Sequence, residues 1–250
     1  MLNTAVISPE LTPEQAEKFE KYYELLTEWN KVMNLTAIID PDEVALRHFA
    51  DSLSVLPYID RMIDARKNPE KSGKTGNDPE KIEKAGISLV DVGTGAGFPG
   101  IPLKIMRPEL EITLLDSLKK RLNFLDTVIK ELGLKEIRTV HARAEDAGRS
   151  GQYRERFDVA VARAVAPMNI LVEYCLPLVK NGGQFIAMKG PAEEDASRAI
   201  KELNGRLISD DSFELGTEET LKRRIICVAK IAPSPSRYPR KAGLPAKSPL

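Results

Sequence analysis

At 250 residues the chain can bury a full hydrophobic core, with room for one large domain and a small addition. Thirty-seven basic residues balance thirty-seven acidic ones, which excludes a global pull toward a polyanion and leaves only a local basic patch to supply one. Two cysteines without a Cys-x-x-Cys spacing, and two histidines far apart, argue against a disulfide framework or a zinc site.

No apolar stretch approaches the ~20 residues that span a bilayer. The N-terminus lacks the basic-then-apolar layout of a signal peptide. A cytoplasmic protein with no metal and no membrane partner is expected. A monomer is expected too, although no exposed apolar stripe makes the oligomeric state readable.

Residues 1–63 read as helical. Thr12 precedes Pro13 as an N-cap with proline at the first helical position. Phe19, Tyr23, Leu26 and Met33 recur at helical spacing, and Trp29 is expected in the core. Asp40 caps a second helix, with Glu43 three residues on and Val44, Phe49, Leu53 and Leu56 as its apolar stripe. Residues 64–86 are charged and rich in Gly and Pro, so a polar surface insertion is expected there.

From 87 to 231 the pattern alternates. Ile87–Val92 reads as a buried strand, 103–106 as a short helix, and 112–115 as a strand ending on Asp116. A helix over 120–132 stops at Gly133. Further strands are expected at 137–141, 157–162, 184–188 and 225–230, with 169–179 helical. Such alternation predicts an α/β, doubly wound, Rossmann-like domain around a parallel sheet, with an N-terminal helical extension. Residues 232–250 form a basic C-terminal segment: from Lys222 onward there are eight basic residues and no acidic one. Such a run either faces a polyanion or is simply solvated.

Asp91-Val92-Gly93-Thr94-Gly95-Ala96-Gly97 closes the first strand. Ligands of open α/β sheets sit beyond the carboxyl ends of the strands, where glycine allows a sharp turn and a close approach. Counted from Gly93, where the strand ends, a dinucleotide fingerprint, Gly-x-Gly-x-x-Gly, would need glycine at position 98, which is Phe98. The acidic-x-Gly-x-Gly-x-Gly spacing suits an adenosine cofactor without a pyrophosphate, and S-adenosylmethionine is expected at Gly93 and Gly95. A plain glycine-rich turn is the alternative. Asp116, about twenty residues on, is placed to accept hydrogen bonds from ribose hydroxyls. Gly93→Val is expected to abolish cofactor binding and leave the fold largely intact.

Several motifs together resemble one family. Asn34-Leu35-Thr36, Arg47-His48, Asp51-Ser52-Leu53, the run from Asp91 to Leu103, Leu115-Asp116-Ser117 with Lys120-Arg121, and Phe124-Leu125 are similar to the bacterial small-subunit ribosomal RNA guanine-N7 methyltransferases (RsmG, or GidB). So are Arg143-Ala144-Glu145, Arg163-Ala164, Lys189-Gly190 and the ending from Tyr238-Pro239-Arg240. The resemblance runs over nearly the whole chain, and the stretch 64–86 departs from it by being longer and more polar. It implies a class I fold, S-adenosylmethionine as cofactor, and methylation of a guanine N7 in the 530 loop of 16S ribosomal RNA, free or in the small subunit. It places the cofactor at Gly93, Phe98, Ala144, Glu145 and Arg163.

Guanine N7 carries a lone pair and no proton, so such a reaction needs no general base and no covalent nucleophile. No Ser-His-Asp or Cys-His arrangement is found in the sequence. Arg163 is the candidate catalytic residue, at the cofactor or on a phosphate or base edge. Its alternative is an ion pair with Glu145 or Asp116. Lys189 is open between RNA contact and a structural salt bridge. Arg121, Arg223, Arg224, Arg237, Arg240 and Lys241 are the other RNA candidates. His48 and Cys175 are expected as packed residues rather than reactive ones.

Overall fold

The computed structural model describes residues 2–67, 86–216 and 220–250. Helix α1 spans Pro13–Asn30. Its Thr12 hydroxyl accepts from the Gln15 amide at 3.2 Å and the Gln15 side chain accepts from the Thr12 amide at 3.0 Å, closing a capping box. The buried face of α1 carries Phe19, Tyr22, Leu25 and Leu26. Tyr23, expected inward, is only partly buried and donates its hydroxyl to the Ile39 carbonyl.

A second helical run, α2, covers 41–53, where Asp40 caps the amides of Asp42 and Glu43. Its middle, Ala45–Ala50, is π-helical, and Asp51–Leu53 returns to α geometry. Helix α3 follows at Leu56–Lys67. The expected insertion therefore begins later than 64, because Asp64 to Lys67 complete the last turn of α3. Residues 68–85 lie outside the described residues.

The sheet carries β1 (Ser88–Val92), β2 (Glu111–Asp116), β3 (Ile137–His141), β4 (Phe157–Arg163), β5 (Val179–Lys189), β6 (Gly205–Leu215) and β7 (Leu221–Lys230). Strand order is β3-β2-β1-β4-β5-β7-β6. The first five strands are parallel, but β7 runs antiparallel to both β5 and β6, so the sheet is mixed rather than wholly parallel. Helices α4 (Gly100–Met106), α5 (Lys119–Glu131), α6 (Ala144–Arg149), α7 (Met168–Cys175) and α8 (Ser197–Glu202) connect the strands. The 169–179 stretch is shorter as α-helix than expected, because Pro177 lies in a 3-10 turn, Leu176–Leu178, before β5.

Alternation along each strand splits the core in two. Leu89, Ile112, Leu114, Val159 and Val161 pack under α1, α4 and α5 with Phe19, Tyr22 and Phe124. Val90, Val92, Ala160, Ala162 and Phe185 pack on the other face with α7 and α8, beside buried Cys175. Burying the Cys175 thiol pushes its pKa well above the ordinary value, as a packed thiol requires.

The C-terminal segment is tied down rather than free. Arg154 donates to the carbonyls of Ser234 and Tyr238, and Glu155 accepts from the Ser234 amide. Arg240 donates Nε and Nη2 to Glu173, which is 0% exposed on α7. A one-turn helix, Leu244–Lys247, ends the chain.

Candidate active site

A cavity of about 570 Å³ opens at the carboxyl ends of β1, β4 and β5. Because β7 is antiparallel, its first residues reach that same end. Arg163 of β4 pairs in register with Met188 of β5, which pairs with Ile225 of β7. Arg223 and Arg224 thus line the cavity opposite Gly93, Thr94 and Gly95.

The glycine loop is fixed from below. The Gly93 amide donates to the Leu115 carbonyl at 2.8 Å, and the Gly95 amide to Asp116 Oδ2 at 3.0 Å. Gly93, Gly95 and Gly97 all have positive φ, at 70°, 60° and 100°. At Gly95 a side chain would meet no atom closer than 4.0 Å, so the space beside this glycine is open. Gly93 is different: its Cβ would lie 2.7 Å from Val165, so Gly93→Val would disturb packing as well as any ligand. The expectation that Gly93→Val spares the fold is therefore corrected. The loop's far side rests on Tyr22, a wholly buried ring whose hydroxyl donates to the Ala96 carbonyl.

Asp91 is wholly buried beneath the loop. Its Oδ2 accepts from the Thr94 hydroxyl (2.7 Å) and the Gly100 amide (2.9 Å), while Oδ1 has no hydrogen-bond partner. Burial raises its pKa to about 6 against the pull of Thr94, Gly100 and Arg163.

The opposite wall comes from the π-turn of α2. Arg163 donates Nη1 to the Arg47 carbonyl (3.0 Å) and to Asp51 Oδ2 (2.9 Å), and its guanidinium lies 5.0 Å from the Phe98 ring centroid. His48 stacks on the same ring, with centroids 4.7 Å apart, and its Nε2 lies 2.7 Å from the Thr36 hydroxyl. Burial, then the neighbouring Arg163, lower the His48 pKa to about 4, so the imidazole is neutral at pH 7. This is the packed histidine the sequence suggested. Arg163 makes the ion pair considered above, but with Asp51 and not with Glu145 or Asp116.

The remaining candidates divide. Arg121 lines the cavity and lies 3.5 Å from Asp116, whose other oxygen accepts from the Leu118 amide at 2.8 Å. Lys189 also lines it, bound to Glu194 at 2.8 Å and to the Ala166 carbonyl at 3.0 Å. Arg223 donates Nε to Asp51 Oδ1 at 2.8 Å. Asp116 ends β2, whereas Ala144 and Glu145 open α6 after β3, and none of the three is part of the cavity lining. Glu145 is buried, and its carboxylate accepts from the Gly243 amide at 2.8 Å, so the C-terminal segment closes over that corner.

Arg237 and Arg240 do not line the cavity. Arg237 is 66% exposed and pairs with Glu202, while Arg240 is committed to Glu173. Sequence reading assigned no role to Asp51 or Tyr22. The available signal for Asp51 was an acid placed inside the Val44, Phe49, Leu53 stripe.

The residues present fit an adenosine cofactor with an amino-acid end. Oδ1 of Asp91 is a buried acceptor lacking a donor, and Gly95 fronts open space under the cavity. Arg163 lines the cavity with a guanidinium that could meet a carboxylate, and the oxygens of Asp116 each retain acceptor capacity beside the loop. Among the described residues, no helix is long and apolar enough to cross a membrane.

Comparison with known proteins agrees with this geometry. The chain matches the family described as GidB, rRNA small subunit methyltransferase G, over residues 15–66 and 79–222. The break falls within 64–86, where the sequence departs from the family. It is 46% identical over 243 residues to ribosomal RNA small subunit methyltransferase G of Acetivibrio thermocellus, covering 96% of this chain and 90% of that protein. To the protein of the same name from a Thermoanaerobacter species it is 49% identical over 238 residues, covering 94% and 90%.

Among solved structures, a 16S rRNA (adenine(1408)-N(1))-methyltransferase mutant from Catenulisporales acidiphilia overlays with a TM-score of 0.50 at 14% identity. That overlay covers 64% of this chain and 96% of the other, and it supports the α/β methyltransferase fold alone. The chain belongs to the GidB family, the rRNA small subunit methyltransferase G proteins.

Proposed function

We propose that the protein transfers a methyl group from S-adenosylmethionine to N7 of a guanine in the 530 loop of 16S ribosomal RNA, in the cytoplasm, with the RNA or the small subunit as its partner. The observation that carries this reading is the state of the cavity's titratable groups. His48 is neutral and packed, Asp51 is divided between two arginines, and Glu194 is held by Lys189 and the Met168 amide. Each of the three is engaged by neighbouring groups rather than offered to a substrate as a base. Methylation at guanine N7 moves no proton, so this cavity suits that acceptor.

S-adenosylmethionine, when bound, supplies an electrophilic methyl group on a sulfonium. The lone pair of guanine N7 would bond to that carbon as the carbon–sulfur electrons stay on sulfur, and the positive charge would pass to the purine. The protein's contribution is alignment and electrostatics. Gly93 and Gly95 admit the cofactor closely, and Phe98 backs Arg163 from below. Asp116 and the backbone of Ala144 and Glu145 would hold the nucleoside, and Arg163 the carboxylate. Arg121, Lys189, Arg223 and Arg224 put cationic side chains around the mouth, where phosphates bind with salt-sensitive affinity. The acceptor must come from a loop, because an A-form duplex hides its N7 edges in a narrow groove.

The test is transfer of labelled methyl to small subunits, and to their naked RNA, from a strain lacking its own enzyme, followed by mass mapping of the product nucleotide. Label at a 7-methylguanine of the 530 loop supports the reading. Label elsewhere, or none in RNA, sinks it.

A further inference from the structure

The geometry points to Asp51 as a positioning residue that couples the cofactor side of the cavity to its RNA side by sharing one carboxylate between Arg163 and Arg223. The names of the two sides rest on the proposed function; the coupling itself does not. Asp51 is 4% exposed in the turn that follows the π-helical segment. Its Oδ2 accepts from Arg163 Nη1 at 2.9 Å and its Oδ1 from Arg223 Nε at 2.8 Å. The two arginines come from strands separated by β5 and meet on this one side chain.

A single negative charge faces two positive ones, so each arginine's hold on Asp51 depends on the other. The two are not equally fixed. Arg163 is 16% exposed, bonded also to the Arg47 carbonyl and backed by the Phe98 ring. Arg223 is 25% exposed, and beyond Asp51 it reaches the carbonyl of its own neighbour, Lys222, at 3.2 Å. An RNA phosphate that draws Arg223 away would leave the whole Asp51 charge on Arg163. That change alters how strongly Arg163 can meet the carboxylate of a cofactor. The linkage is reciprocal, as any coupling between two binding events must be.

The experiment is calorimetric titration of the full chain with S-adenosylhomocysteine, with no RNA present. Arg223→Ala mimics withdrawal of that arginine and is expected to weaken binding about fivefold, within the usual span of coupling between sites. In an Asp51→Asn background the same substitution is expected to change affinity less than about 1.5-fold, because the bridge is already broken. Arg223→Lys keeps a cation beside Oδ1 and is expected to stay within about twofold of wild type.

Equal effects of Arg223→Ala in both backgrounds, or none with Asp51 intact, would overturn the inference. A purely structural Asp51 would give that additive pattern. Should Asp51→Asn fail to fold, the contrast between Arg223→Ala and Arg223→Lys decides alone: loss with both, or with neither, overturns it. Intact coupling alongside failure of RNA methylation would condemn the substrate assignment and leave Asp51 standing. A wild-type chain that does not bind S-adenosylhomocysteine overturns both.

Discussion

Arg240→Ala separates anchoring of the C-terminal segment from RNA binding. Glu173 is wholly buried and receives Arg240 through Nε at 2.9 Å, Nη2 at 2.6 Å and the backbone amide at 2.7 Å. Truncating Arg240 removes the side-chain donors and strands a carboxylate with one amide. Losing one partner of a buried ion pair costs about 3–5 kcal/mol. Arg240 keeps 24% of its side chain exposed, so water re-solvates part of the site and about 2–3 kcal/mol is the fairer expectation. For a domain of this size that lowers the melting temperature by roughly 4–12 °C. Scanning calorimetry and urea denaturation at neutral pH would measure the loss, and Arg240→Ala with Glu173→Gln would show a double-mutant coupling of about 2 kcal/mol. RNA KM, taken below the unfolding range, is expected to stay within about twofold. A wild-type midpoint combined with a markedly raised KM would refute the anchoring account and return Arg240 to the RNA surface.

Other substitutions probe the cavity. Gly95→Ala, at φ 60° with open space beside it, is expected to cost only about 1 kcal/mol of stability but to lower cofactor affinity at least tenfold, read by calorimetry. Gly97→Ala should do the reverse, costing about 2–3 kcal/mol in denaturation, since its Cβ would lie 2.5 Å from the Tyr22 hydroxyl and 2.8 Å from Ile101. His48, with its pKa lowered from 6.5 to about 4, takes up a proton more readily unfolded than folded. Its contribution is therefore complete above pH 6.5 and is lost as pH falls toward 4, by about 2 kcal/mol at pH 5. Asp91, raised to about 6, acts with the opposite sign between pH 3.8 and 6, so the slope must be read as wild type minus His48→Gln. A pH-independent difference would contradict a buried neutral imidazole. Asp91→Asn keeps an acceptor for Thr94 and Gly100 while replacing the partnerless oxygen with a donor; stability at pH 8 should rise and cofactor affinity fall, and a loss of stability with affinity retained would show that Oδ1 faces no ligand.

How much of this was legible in the sequence depended on whether a residue's partner was near it in the chain. The glycine loop, the Thr12 cap and the strand ending at Asp116 are local patterns, set by φ, capping chemistry and period, and they lie where they were expected. Strand β6 was not anticipated, because Gly205–Leu215 is a mostly exposed edge whose Ser209, Asp210 and Asp211 break any apolar alternation. Its existence turns β7 around, which is what carries Arg223 and Arg224 to the mouth of the cavity. Charge alone nominated Arg223 and Arg240 equally, since a basic residue advertises nothing about the acid it will meet. The fold separates them: Arg240 meets Glu173 across a core-facing helix, while Arg223 meets Asp51, 172 positions away, at the one carboxylate that also holds Arg163. Strand ends converge, which makes the strand-end acids the local candidates for Arg163; its partner Asp51 instead comes from the N-terminal helices, whose angle to the sheet no local pattern encodes. The π-turn of Ala45–Ala50 puts the Arg47 carbonyl, His48 and Asp51 together on the cavity side, and a three-residue capping rule has no means of predicting that register. The glycine loop is therefore readable from local pattern, and the wall that faces it is not.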